Sequence, residues 1–192
     1  MIRNVSLVLL IAANLLPVLG VLFWDWDVFS IMFLFWCENV VIGFFGVART
    51  VKVGGVLLAA FFMVHYGGFM MGHLMVLIAL FADEPDAIAR SGQSFLDIFD
   101  IWTVAVIAML FVSHGWSYVE NFLGKREYES MSRGGAMAMA YKRMVITHIA
   151  LIAGGFFLVE QGEPIIGLLI LLAMKIVLDV VLHNREHNQS GS

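Results

Sequence analysis

Long apolar runs separated by short polar clusters set the pattern of this chain. The runs fall near residues 5–24, 28–49, 53–81, 97–124, 137–159 and 164–183. Each is long enough to cross a hydrocarbon core, which takes about 20 residues. Together they predict an all-α fold, a polytopic transmembrane bundle of six helices that forms a single domain over residues 1–192. The connections are an acidic turn with interfacial tryptophans (Trp24-Asp25-Trp26-Asp27), a basic turn from Arg49 to Lys52, a loop from Ala82 to Ser94, a basic loop from Lys125 to Arg133 and an acidic turn from Glu160 to Glu163. Arg3 precedes the first run and no clear small-residue cleavage site follows, so that run reads as a retained helix.

Charge orients the bundle. Lysine and arginine in short loops mark the cytoplasmic side. Arg3, the Arg49/Lys52 turn, the Lys125–Arg133 loop and the Arg185 tail then all lie inside, while the three remaining connections share one basic residue, Arg90. Six crossings put both termini in the cytoplasm. Trp24, Trp26 and Trp102 are expected near the outer interface, where indole rings prefer to sit. Composition agrees: 61% of the 192 residues are hydrophobic and 14% charged, where a soluble domain carries about a quarter charged. The single cysteine, Cys37, excludes an intrachain disulfide and speaks against a thiolate metal cage. No basic stripe exists, so nucleic acid is not an expected partner.

The chemistry lies in the few polar residues inside the apolar runs. His65 sits midway along the third run, where an ionisable group is expensive and by default functional. Gly68 and Gly72 follow it at i+3 and i+7, a small-residue face that would let a neighbouring helix approach and turn His65 into the bundle. Glu38 lies eleven residues from Arg49, His65 thirteen from Lys52, His114 eleven from Lys125 and His148 eleven from Met137. These counts put all four at roughly 15–20 Å from the cytoplasmic edge. Three histidines and a carboxylate at one level suit zinc, iron or manganese, so the expected cofactor is a divalent transition metal held by His65, His114, His148 and Glu38. Glu38 is alternatively the general base beside three histidine ligands. Asn39, Tyr66, Ser113 and Ser117 are placed to orient such ligands. No local motif such as H-E-x-x-H supports the set, which rests on depth. The plainer reading is that each histidine closes a hydrogen bond between helices. His73 is expected to line an entrance or make a hydrogen bond, and Lys175 with Asp179, at i and i+4, to form a structural ion pair.

Glu38-Asn39 recurs as Glu120-Asn121, and Gly67-Gly68-Phe69 as Gly154-Gly155-Phe156, but their depths differ, which favours coincidence over duplication. The set Phe35-Trp36-Cys37-Glu38-Asn39, His65-Tyr66-Gly67-Gly68-Phe69, Ser113-His114-Gly115, Tyr141-Lys142-Arg143 with Thr147-His148, and Lys175 with Asp179 resembles a family of bacterial six-helix membrane proteins known only as a domain of unknown function. The resemblance runs from about Asn4 to His187 and implies the cell inner membrane; it brings no activity. The arrangement also resembles the seven-helix zinc hydrolases of the alkaline ceramidase kind, from which the chain departs in helix count and motif order.

Four functions compete. A membrane-embedded metal-dependent hydrolase would act on an apolar or lipid substrate arriving between helices. A proton- or ion-coupled transporter also places ionisable groups at mid-depth, and a chain this small would need a homodimer to build two moving halves. A haem-binding electron carrier would use two of the histidines as axial ligands. A structural bundle would use all of them as interhelical contacts.

Overall fold

The computed structural model describes residues 28–82, 101–145 and 148–149, and the regular structure among them is all helical. Contacts divide the chain into two compact units, Phe29–Met144 and a second made of Met1–Val28 with Val145–Ser192. The first unit is built on α1 (Val28–Gly54), α2 (Val56–Ala82), α3 (Ile101–Ser117), which continues as a π-helical segment over Tyr118–Gly124, a short 3-10 turn at Glu127–Glu129, and α4 over 135–145. Among the described residues three stretches, Phe29–Gly54, Val56–Ala79 and Ile101–Gly124, are long and apolar enough to cross a membrane. The protein is therefore a helical membrane protein. The expected helices near 5–24 and 164–183 lie outside the described residues, as do Trp24, Trp26, Lys175 and Asp179.

The first connection differs from its expected form. Arg49 to Lys52 is not a turn: α1 continues through it to Gly54, and the chain reverses on the single residue Gly55. Gly55 has φ +87°, a conformation that costs glycine nothing and other residues much. Its N–H donates to the Val51 carbonyl at 3.2 Å, and its own carbonyl accepts from Ala59 N–H at 3.1 Å, starting α2 at once. Arg49 and Lys52 thus occupy the last turns of α1, where the negative end of the helix dipole favours cations. Their charge marked an end of the hairpin correctly but not the residue that makes it.

The hairpin closes tightly because α1 offers glycines where α2 offers aromatic rings. A Cβ built on Gly43 would sit 2.9 Å from Tyr66 Cδ1, and one on Gly46 3.0 Å from Phe62 Cε1. Tyr66 Oη donates to the Asn39 carbonyl at 2.8 Å, and Trp36 Nε1 to the Met70 carbonyl at 2.8 Å. Phe62, Tyr66 and Met70 form one core with Ala140 and Met144 of α4, whose small and flexible side chains recur at i and i+4 on its inner face. On another face of α1, Phe44 and Phe45 pack against Phe111 of α3, and Phe45 against Tyr118.

The glycine face of α2 also differs from expectation. Gly67, Gly68 and Gly72 are exposed, and a Cβ on any of them would meet nothing within 4 Å. The close helix approach uses Gly43 and Gly46 of α1 instead. Gly43→Ala is expected to lower the thermal stability of the purified protein by about 1–3 kcal/mol, because the Tyr66 ring is pinned by its hydrogen bond and has nowhere to yield. Gly67→Ala is expected to be neutral or stabilising by up to ~1 kcal/mol through helix propensity. Unfolding midpoints for both variants check the pair; equal shifts would contradict this packing.

Candidate functional site

α4 brings a tyrosine to His65. Ala136, Ala140 and Met144 are buried at i, i+4 and i+8, which seats α4 against the hairpin and leaves Tyr141 at its margin. Tyr141 Oη lies 2.6 Å from His65 Nδ1. The hydroxyl donates when Nδ1 is unprotonated and accepts when Nδ1 carries the proton. Phe61 stacks on the imidazole with ring centroids 5.6 Å apart, and Tyr141 meets it edge-on at 5.7 Å. Tyr141 also stands edge-on to Tyr66, centroids 5.7 Å apart. His65 itself is exposed and makes no other hydrogen bond among the described residues.

The rest of the polar set is distributed around α1. Tyr66 lies within electrostatic reach of both Tyr141 and Glu38. Asn39, whose Nδ2 donates back to the Phe35 carbonyl at 2.9 Å, turns its face of α1 toward α2. Glu38 shares a face with Phe45 at i+7 and so turns toward the α3 side. The Gly43–Tyr66 and Gly46–Phe62 contacts set His65 opposite Gly43 and Phe44. Glu38 is five to six residues from there, ~8–9 Å further along the helix from the Gly55 turn. His114 of α3 precedes Gly115, whose added Cβ would lie 3.3 Å from the Phe45 ring, so it stands near the His65 level but against another face of α1.

The expected ligands are therefore not gathered by the first unit alone. Among the described residues no three histidine, cysteine or acidic side chains form a metal-binding group. His148 is helical and half-buried and belongs to the second unit. His73, expected at an entrance, is buried. A polar face runs on from α3, since Asn121 Nδ2 donates to Ser117 Oγ at 3.3 Å and Lys125 Nζ donates to Asn121 Oδ1. It does so on a π-helical segment, where the Lys125 N–H is shared between the Glu120 and Asn121 carbonyls.

Sequence reasoning missed Tyr141 as a site residue. Its position in the Tyr141-Lys142-Arg143 motif was visible, and so was a hydroxyl in an apolar stretch. What only the fold supplies is that α4 meets α2 at His65. Chemically, a phenol and an imidazole at this distance share one hydrogen bond, and the second imidazole nitrogen has no hydrogen-bond partner among the described residues.

The whole chain, residues 1–192, matches a family of unknown function (DUF6498), and the protein belongs to that family. No curated protein and no solved structure matches it. Function therefore has to be argued from the site. Tyr141→Phe is expected to shift the 15N resonance of His65 Nδ1 markedly and to cost about 0.5–1.5 kcal/mol of stability. An unchanged His65 15N spectrum would show that the pair does not form.

Proposed function

We propose that this is a six-helix, multi-pass inner-membrane protein with both termini in the cytoplasm, whose His65–Tyr141 pair handles a proton for a lipid-soluble substrate. The observation that carries the reading is the 2.6 Å contact between two titratable side chains from separate helices, at an exposed position on a span long enough to cross the membrane. Ionisable groups at such depth are costly and rarely ornamental. An exposed imidazole there is reachable by a substrate dissolved in the bilayer, without passage through water. Tyr66 stands edge-on to Tyr141 beside the pair, ring centroids 5.7 Å apart. Purified protein incubated with an inner-membrane lipid extract is expected to change at least one lipid species by mass spectrometry, while His65→Ala and Tyr141→Phe leave it unchanged. Identical lipid profiles for parent and variants would rule the reading out.

A divalent transition metal bound through His65, with Glu38 as general base, is a second reading. One feature favours it: metal-bound imidazoles commonly have the other ring nitrogen held by a hydrogen bond, as Tyr141 holds His65 Nδ1. The axial offset of Glu38 from His65 suits the general-base role better than shared coordination. Metal content per protein is the measurement. The reading expects stoichiometric zinc, iron or manganese in the parent and its loss in His65→Ala; equal content in both would end it.

Topology rests on the alternating distribution of lysine and arginine. Reporter fusions after Asp83 and after Arg126 are expected to report opposite sides of the membrane. Equal readings would refute the arrangement.

A further inference from the structure

The end of the first unit that carries the Gly55 turn is strongly basic. Residues 49–52 and 120–133 hold five lysines and arginines against three glutamates, in a chain whose formal charge is −4. Orientation in the membrane accounts for the sign of that end but not for how the cations are held. Arg126 is paired with Glu129 at 3.3 Å. Lys52, Lys125 and Arg133 are exposed and make no ion pair among the described residues. Two of them are steadied by neutral groups instead. Lys52 Nζ stands 4.9 Å over the Tyr128 ring, and Lys125 Nζ bonds the Asn121 amide oxygen. The Arg133 carbonyl lies 3.3 Å from where a Gly54 Cβ would be, which brings the loop against the end of α1. Tyr128 in turn packs edge-on to Phe122, the ring that lies under Arg49.

Directly beside these cations the surface is apolar. Val51 is 44% exposed, Val56 74% and Leu57 88%. Unneutralised cations positioned by aromatic and amide groups, bordering exposed aliphatic side chains, match the two halves of an anionic phospholipid: a phosphate diester above and acyl chains below. A free phosphate would use only the first half. We propose that the surface formed by Lys52, Tyr128 and Arg133, bordered along the chain by Val51, Val56 and Leu57, binds the headgroup and upper chains of an anionic phospholipid. Such a lipid would clamp the 125–134 loop to the hairpin end and so hold α4, and with it Tyr141, in place.

The test uses the full-length protein in detergent and native mass spectrometry. The probes are phosphatidylglycerol, phosphatidylcholine with the same chains, and inorganic phosphate. Phosphatidylglycerol is expected to bind about tenfold more tightly than phosphatidylcholine, to weaken as salt is raised, and to resist displacement by inorganic phosphate. The double variant Lys52→Gln with Arg133→Gln is expected to lose roughly tenfold in phosphatidylglycerol affinity. Arg126→Gln, which removes a charge already paired, should stay within about twofold of the parent. Equal affinity for the two lipids, displacement by inorganic phosphate, or equal behaviour of the double variant and Arg126→Gln would overturn the proposal. If the double variant fails to fold, the lipid comparison and salt titration on the parent decide alone, and salt-independent binding would also overturn it.

Discussion

The contact of α1 with α2 at Gly43 and Gly46 is the constraint on which the other described features depend. Inside a bilayer no hydrophobic force draws two apolar helices together, so close packing and buried hydrogen bonds must do it. Glycine at these two positions admits the Tyr66 and Phe62 rings to the α1 backbone. The approach then lets Tyr66 Oη reach the Asn39 carbonyl and Trp36 Nε1 reach the Met70 carbonyl, two bonds that tie the helices at separate levels. With Gly55 reversing the chain in one residue, the register of α2 on α1 has no freedom left. α4 packs on the ridge that this register creates, and the His65–Tyr141 contact follows.

The same register explains which parts of the site the sequence carried. Helix type, the three spans among the described residues and the basic end of the hairpin follow from local composition and periodicity. Relative depth does not, because it depends on where the chain turns. Counting from Arg49 and from Lys52 treats both as the membrane edge and gives Glu38 and His65 nearly the same level. Counting from Gly55 puts Glu38 seventeen residues away and His65 ten. The glycine, not the cation, is the marker to count from, since a cation in the last turn of a helix is stabilised by the dipole without ending the helix.

Face was the second thing hidden from sequence. Gly68 and Gly72 read as an approach surface because small residues permit one, yet permission is not contact. The helix that does approach α2 presents its own glycines and lets α2 keep its rings. Asn39 and Glu38 are neighbours in sequence but about 100° apart around α1, so one turns to Tyr66 while the other joins the face of Phe45. A set of polar residues sharing a level can therefore be divided by the helix that stands among them. His65 and His114 are divided in this way.

His65 poses the sharpest physical requirement. Its ring is held on one side by Tyr141 and stacked on Phe61, and it is exposed on a helix long and apolar enough to cross a membrane. Hydrocarbon offers its second nitrogen no partner, and an unsatisfied polar group there costs several kcal/mol. A purely structural histidine would be expected to be buried, as His73 is on the same helix. The contrast between the two argues that the outward nitrogen of His65 is kept available for something that arrives. Under the proposed function Tyr141 has a definite task, to hold the ring so that the other nitrogen is presented in one orientation. That task needs a second helix at one particular height, which is what the glycine-set register of the hairpin provides.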